Sequence, residues 1–214
     1  MSAAEITTWI LSGLKVTLIV ATFATAIAGL SAVALGTLQH RLGGAPYALL
    51  TIFIEFWRSS SVVILLLFFY YVLPMIGLRL DAIAVTALVL GLNVGAYGSQ
   101  AVRAALESIG QGQVEAGVAL GLSRNQLLLL VEIPQAIPKI LPIFGNEAVE
   151  VIKGTANGSL LGLADITFRS KELMQITYQP GRIYIILIII YIVICAPIAL
   201  LTAYAARSTK IAER

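Results

Sequence analysis

The stretch EAGVALGLSRNQLLLLVEIPQAIPKILP, residues Glu115 to Pro142, interrupts a chain that is otherwise dominated by apolar runs. Its glycines, together with Gly112 just before it, allow tight turns between short helices. Ser123 has a side chain suited to cap a helix over residues 124–133. The pattern predicts a polar loop over residues 110–134 that holds two short helices lying roughly parallel to the plane of a membrane.

Three prolines follow at intervals of four residues, at Pro134, Pro138 and Pro142. Proline has no backbone N–H, and its ring clashes with the preceding helical turn. We therefore expect these residues to break or redirect the chain where it enters the next apolar run.

The composition is that of a protein that crosses a membrane several times. The chain has 214 residues, of which 59% are hydrophobic and 12% are charged, and its mean hydropathy is +0.94. Soluble domains carry about 25% charged residues. The net charge of +3 is better explained by basic loops on the cytoplasmic side than by nucleic-acid binding. The single cysteine, Cys195, supports neither an intrachain disulfide nor a metal cluster.

The apolar runs predict an all-α polytopic protein that forms a single transmembrane domain over residues 1–214. The N-terminal sequence lacks a basic n-region, so we expect the first apolar run to be a retained helix rather than a cleaved signal peptide. The five predicted spans cover residues 10–36, 59–73, 82–103, 140–163 and 182–206. Gly91 and Gly95 lie four residues apart in the third span, which predicts a close helix contact.

The basic residues indicate which end of each span is cytoplasmic. One side of the predicted topology holds Arg41, Arg103, Arg124, Lys139, Arg207, Lys210 and Arg214. The other side holds Arg79, Arg169, Lys171 and Arg182. The positive-inside rule then predicts an external N-terminus, with the 110–134 loop and the C-terminus in the cytoplasm. Because five helices are too few to enclose a solute path, we expect two such subunits around a twofold or pseudo-twofold axis.

The 110–134 loop has the features of a docking element for a partner protein. Ala116 and Ala119 are small enough to be pressed into a cleft, and Glu115 can reach a cationic or N–H group there. An interfacial amphipathic helix is the alternative, but the segment has few of the basic residues that lipid binding favours.

The loop resembles the cytoplasmic EAA loop of ABC-importer permeases. The similarity extends along most of the chain to the polar amino-acid subfamily, the histidine, glutamine and arginine type. The similar stretches are Phe56–Ile64, Tyr70–Pro74, Asn93–Arg103, Ser108–Ala116, Val131–Pro134, Leu141–Pro142, Asn146 and Lys153–Thr155. Residues 90–103 also resemble permeases for ectoine and hydroxyectoine.

The resemblance implies the ABC type I importer permease fold, with five transmembrane helices and cytoplasmic EAA coupling helices, in a bacterial inner membrane. It implies that the coupling residues are Glu115, Ala116, Gly117, Gly121 and Pro134. The implied partners are a second permease subunit, identical or homologous, two cytoplasmic ATP-binding subunits and an external solute-binding protein, besides membrane lipid. ATP and magnesium would be bound by the ATP-binding partner, and this chain would bind no cofactor. The sequence departs from the subfamily at Gln100, where glutamate is usual, and at Gly117, which replaces an alanine.

Polar residues recur at helical spacing inside two predicted spans, and such residues mark function by default. They form our candidate solute path: Asn93, Tyr97 and Gln100 in the third span, and Asn146, Glu147, Glu150, Lys153 and Asn157 in the fourth. Glu150 and Lys153 together could bind a zwitterion. The alternative is that these groups only hold helices together, which for Asn93 and Gln100 is the favoured interpretation.

Two other functional classes are alternatives for a polytopic chain. An ion channel or secondary transporter would need no ATPase, and the Glu115–Pro134 pattern argues against it. A membrane-embedded enzyme would need a paired catalytic constellation, and the chain has one histidine, His40, interpreted as a solvated residue at a helix end. The sequence contains no P-loop, metal-ligand pattern or catalytic triad.

Overall fold

A computed structural model describes the backbone of residues 2–212 and the side chains of residues 2–204 and 206. Arg207, Lys210 and Arg214, which support the predicted orientation, therefore have side chains outside the described set. Within residues 2–212 all regular structure is helical, as expected. The α-helices are α1 Ala3–Leu11, α2 Leu14–Arg41, α3 Gly44–Ser59, α4 Val62–Tyr71, α5 Ala82–Glu107, α6 Gln111–Ala119, α7 Arg124–Leu127, α8 Ile133–Gly154, α9 Ile166–Thr177 and α10 Pro180–Ala212.

Four helical stretches of the described chain are long and apolar enough to cross a membrane. They are α2, α5, the continuous stretch Arg124–Leu161 and the part Pro180–Tyr204 of α10. A fifth span is obtained if α3 and the stretch Val62–Ile76 are counted together, although they meet at a bend of 100°. The helical fold agrees with the predicted class, and the number of spans is consistent with five.

The predicted second span, 59–73, differs from the structure. α3 ends at Ser59, Ser60 and Ser61 have extended backbones, and α4 begins at Val62. The ten residues of α4 rise about 15 Å, half of the hydrocarbon thickness of a bilayer. The three consecutive serines allow the break between the two helices because their hydroxyls compete for backbone hydrogen bonds.

The expectation that the prolines break the chain is wrong. One helical stretch runs from Arg124 to Leu161 and contains Pro138 and Pro142 in its interior. Pro134 lies in the first turn of α8, directly after a π-helical turn over Leu128–Glu132. Spanning helices tolerate proline where packed neighbours satisfy the freed backbone groups. The second predicted short helix, 124–133, is consequently the beginning of this long stretch.

The centre of the molecule is the seam between α2 and α5, where small residues let the two backbones approach. Ala24, Ala28, Ala32 and Gly36 recur every fourth residue along α2, and all are buried. A Cβ on Gly91 or Gly95 would overlap atoms of α2, so the predicted close contact is confirmed. Such packing is the usual basis of helix association in membranes.

Candidate functional site

α6 ends in a turn that requires glycine. The N–H of Leu122 donates to the carbonyl oxygen of Gly117 at 3.1 Å, and Gly121 has a φ of +78°. This is the Schellman arrangement, in which the left-handed residue after the helix is usually glycine. The turn redirects the chain within three residues, so that α6 lies against the start of α7.

The next helix is capped as predicted. The side chain of Gln126 accepts a hydrogen bond from the N–H of Ser123 at 2.9 Å, and Ser123 Oγ accepts one from the N–H of Gln126 at 3.4 Å. Gly117 is buried, and a Cβ added there would press on the side chain of Leu127. α6 is therefore held against α7 by a contact in which a small residue is favoured.

The outer surface of α6 carries one carboxylate among apolar side chains. Glu115 and Ala116 are exposed, and Val118 and Leu120 are exposed by 62% and 81%. Exposed apolar side chains of this size, grouped around a polar residue, mark a protein interaction surface. Of the predicted coupling residues, Glu115, Ala116 and Gly121 are exposed, and Gly117 is buried beneath them. Pro134 lies outside this turn, in the first turn of α8.

Two residues at the end of α2, His40 and Arg41, bind the segment that contains α7 and the π-helical turn after it to the transmembrane helices. Arg41 Nη1 donates to Asn125 Oδ1 at 2.9 Å, and Nη2 donates to the carbonyl oxygen of Arg124 at 3.3 Å. His40 Nε2 lies 3.5 Å from Glu132 Oε2, so the interpretation of His40 as a solvated residue is wrong. These contacts join residues more than 80 positions apart, and no local pattern could have indicated them.

The polar face of α5 donates hydrogen bonds to the C-terminal end of α3, where the helix stops before α4. Asn93 Nδ2 donates to the carbonyl oxygen of Trp57 at 2.6 Å, and the Tyr97 hydroxyl donates to that of Arg58 at 2.7 Å. The last carbonyls of a helix have no partner within it, and inside a membrane an unpaired carbonyl is costly. Asn93 and Tyr97 satisfy two such carbonyls. Tyr97 is still half exposed, and its ring lies under the Arg58 guanidinium.

Gln100 joins three helices. Its Nε2 donates to Gln39 Oε1 of α2 at 2.8 Å, and Gln39 Nε2 donates to Thr51 Oγ1 of α3 at 3.0 Å. Gln39 is buried. These hydrogen bonds give Gln100 a structural role in holding the helices together, which is the interpretation that the sequence analysis favours at this position.

Three polar residues of α8 lie on a surface that the described part of the chain leaves open. Glu150 and Lys153 form an ion pair, and their side chains are exposed by 64% and 51%. Asn146 is also exposed. Asn157 lies beyond the end of α8, in a 3-10 segment, where its Nδ2 donates to the carbonyl oxygen of Gly154. The structure therefore places Asn146, Glu150 and Lys153 on one open face and gives Asn157 a local partner.

Glu147 lies at the contact between α8 and α5. A Cβ on Gly98 would overlap the Glu147 carboxylate, so the absence of a side chain at Gly98 makes room for it. Among the described side chains, no cation lies within ion-pair distance of Glu147. Glu147 therefore contacts α5 at Gly98, whereas the three predicted polar residues of α5, Asn93, Tyr97 and Gln100, are hydrogen-bonded to α2 or α3.

A buried acid at the opposite end of the molecule was missed by the sequence analysis. Asp165 is fully buried, and its Oδ1 accepts a hydrogen bond from the N–H of Phe168 at 2.8 Å, which caps α9. Its Oδ2 has no partner among the described residues. Burial raises the pKa of Asp165 to about 6, although the hydrogen bonds and Lys171 act in the other direction. The signal that could have revealed it is an aspartate at the position before a helix, where its carboxylate can cap the first turn.

Comparison with known proteins places this geometry in a family. Residues 28–211 match the family described as the binding-protein-dependent transport system inner membrane component. The probable amino-acid ABC transporter permease protein y4tF of Sinorhizobium fredii is 35% identical over 146 residues, which cover 65% of this chain and 61% of that protein. The glutamine transport system permease protein GlnP of Escherichia coli K12 is 31% identical over 162 residues, covering 75% and 74%.

Solved structures show the same fold. A chain from the crystal structure of an amino acid ABC transporter with histidines is 30% identical, with a TM-score of 0.85 and 96% coverage of both chains. A chain of the MetNI methionine ABC transporter in an inward-facing conformation has a TM-score of 0.83 over 98% of this chain. Its identity is 18%, so it shows the fold alone.

Proposed function

Because the chain belongs to the family of inner membrane components of binding-protein-dependent transport systems, we propose that it is the permease subunit of an ATP-driven importer for a polar amino acid or a related zwitterion. Membership in this family makes the chain a transport component rather than an enzyme, and it removes the ion channel and secondary transporter from consideration. The single observation that carries the coupling role is α6, a short exposed helix fastened to two spanning stretches.

The proposed complex contains two permease subunits, two cytoplasmic ATP-binding subunits and an external solute-binding protein. ATP and magnesium belong to the ATP-binding partner. The orientation that fits puts α6 in the cytoplasm and the N-terminus outside, because Arg41, Arg103, Arg124 and Lys139 all lie at the α6 end of the described chain. A cytoplasmic partner can then reach Glu115.

Motion of the partner would enter the membrane through two attachments. The Gly117–Leu127 contact ties α6 to the stretch that continues into α8, and Arg41 ties the same segment to α2. A displacement of α6 therefore moves both helices rather than bending a loop. The partner drives transport to the extent that its contacts differ between the two states of the permease.

The solute path is proposed along the open face of α8. Charged side chains at membrane depth do not face lipid without a large cost, so Glu150 and Lys153 must face water or a second subunit. Their two charges match the ammonium and carboxylate of a zwitterion. Asn146, Glu147 and Tyr97 complete the proposed path, whereas Asn93, Gln100 and Asn157 support the helices around it.

The coupling role is tested by introducing a lysine at each of two positions on α6. Glu115→Lys reverses the charge of the exposed carboxylate, whereas Gln113→Lys adds a charge on another part of the same helix, where Gln113 is also exposed. We expect Glu115→Lys to prevent recovery of the ATP-binding subunit when the tagged permease is purified from solubilised membranes. Gln113→Lys should recover it as the unaltered protein does. Equal recovery with both variants would contradict the proposed role of Glu115.

A further inference from the structure

The α6 end of the molecule contains two adjoining cavities of opposite character. The first has a volume of about 260 Å³ and lies between α2, α5 and α8. Its walls are apolar apart from Thr37, and they include Val33, Ile133, Ile137 and Phe144. Val33 and Ile137 are exposed by 44% and 53%, so this groove opens on the outside of the helical bundle, where the acyl chains of the bilayer lie.

The second cavity has a volume of about 380 Å³ and lies between the end of α2, α6 and α7. Its charged lining consists of His40, Arg41, Arg124 and Glu132. Arg41 uses its terminal nitrogens on Asn125 and the Arg124 carbonyl, and His40 lies beside Glu132. No described side chain pairs with the guanidinium of Arg124, which leaves positive charge in this cavity unmatched.

The two cavities are one helical turn apart on the same two walls. On α2, Thr37 lines the apolar groove, and Arg41, four residues later, lines the charged cavity. On the other wall, Glu132 lines the charged cavity, and Ala136, four residues later, lines the apolar groove. Residues four apart on a helix lie on one face, about 6 Å apart along the axis. The apolar groove thus lies one helical turn from the charged cavity on both of the walls that they share.

From this juxtaposition we propose that the paired cavities bind an anionic phospholipid of the cytoplasmic leaflet, with one acyl chain in the groove and the phosphate beside Arg124. An apolar groove is unsuited to a polar solute, and a soluble anion would have no use for it. Basic residues at the membrane surface favour anionic over zwitterionic lipids. The choice of leaflet depends on the proposed orientation, but the site itself does not depend on the identity of the solute.

The experiment is native mass spectrometry of the purified transporter complex with phosphatidylglycerol or phosphatidylcholine added at equal concentration. We expect the unaltered complex to retain phosphatidylglycerol preferentially. Arg124→Gln should reduce that retention about fivefold, the effect of one surface cation on an anionic lipid. Arg79→Gln, which removes an exposed arginine from the loop before α5, should leave that retention unchanged.

The groove is tested separately. Ile137→Trp fills it with an aromatic ring and should reduce retention of both lipids, whereas Ile192→Trp, at an exposed position of α10, should not. Retention of phosphatidylglycerol by Arg124→Gln at the level of the unaltered complex would overturn the proposal. Displacement of the lipid by glycerol phosphate at a similar concentration would also overturn it, because the apolar groove would then contribute nothing.

Discussion

At the scale of single residues, the backbone conformation of Gly121 restricts most strongly which amino acid can occupy the position. An L-residue with a side chain in the left-handed region costs roughly 1 kcal/mol or more. We therefore expect Gly121→Ala to loosen the α6 turn and to lower ATP-driven uptake in proteoliposomes. Gly112→Ala is the matched control, because Gly112 lies within α6 with open space around it and has no left-handed φ. A loss of uptake with Gly112→Ala of the same size would show that the turn is not the cause.

Asp165 makes stability depend on pH. Its pKa is raised to about 6 in the folded chain, from an ordinary value of 3.8, so the folded state holds the proton between these values when the unfolded state has lost it. The loss of folding free energy that comes from burying the ionised carboxylate is absent below about pH 4. It is complete above about pH 6, where it reaches roughly 3 kcal/mol. Acidification from pH 7.5 to 5 should therefore raise the melting temperature of the unaltered protein relative to Asp165→Asn.

The measurement is thermal unfolding in detergent at the two pH values. Only the difference between the two proteins is informative, because other groups titrate in both. An equal shift in both proteins would show that the carboxylate of Asp165 is not the group responsible.

At the scale of helices, the contact between α5 and the end of α3 has the clearest energetic consequence. Asn93→Leu removes the donor to the Trp57 carbonyl, and Tyr97→Phe removes the donor to that of Arg58 while keeping the ring. Leaving the buried Trp57 carbonyl unpaired costs about 1–3 kcal/mol, and the loss at the more exposed Arg58 carbonyl is smaller. Both variants should melt at lower temperature in detergent.

Tyr71→Phe provides the control for the loss of a hydroxyl. Tyr71 is 57% exposed and lies at the end of α4. Its substitution should leave the melting temperature unchanged. If Tyr97→Phe behaves in the same way, the Arg58 carbonyl has another partner, and the proposed role of Tyr97 at the break is incorrect.

The sequence predicted features whose cause is local. The cap at Ser123 depends on a residue three positions away, and the turn at Gly121 depends on its own backbone. The contact between His40 and Glu132 joins two distant helices, so no spacing in the chain could reveal it. Pro138 was misjudged for the same reason, because its tolerance depends on what packs around α8.

At the scale of the whole molecule, the open face of α8 distinguishes a transport role from a structural one. An exposed ion pair such as Glu150–Lys153 stabilises a protein by less than about 1 kcal/mol. We expect Glu150→Gln to lower uptake about tenfold, the effect of losing one hydrogen bond to a charged group, with normal recovery of the complex.

The double exchange Glu150→Lys with Lys153→Glu distinguishes a role in solute transport from a purely structural role of the ion pair. It preserves an ion pair and reverses the order of the charges. A structural pair would recover its uptake in this variant, whereas a path that recognises both ends of a zwitterion would stay defective. Recovery of uptake would therefore contradict the assignment of Glu150 and Lys153 to the solute path.

The uninterrupted stretch Arg124–Leu161 has a mechanical consequence. Its 38 residues make a helical rod about 57 Å long, with α6 near one end. A rod of this length acts as a lever, and a tilt of about 5° about one end displaces the other by about 5 Å. The small angular strokes of a partner outside the bilayer would thus be magnified into an aperture at the opposite surface, with the three prolines setting how stiff the lever is.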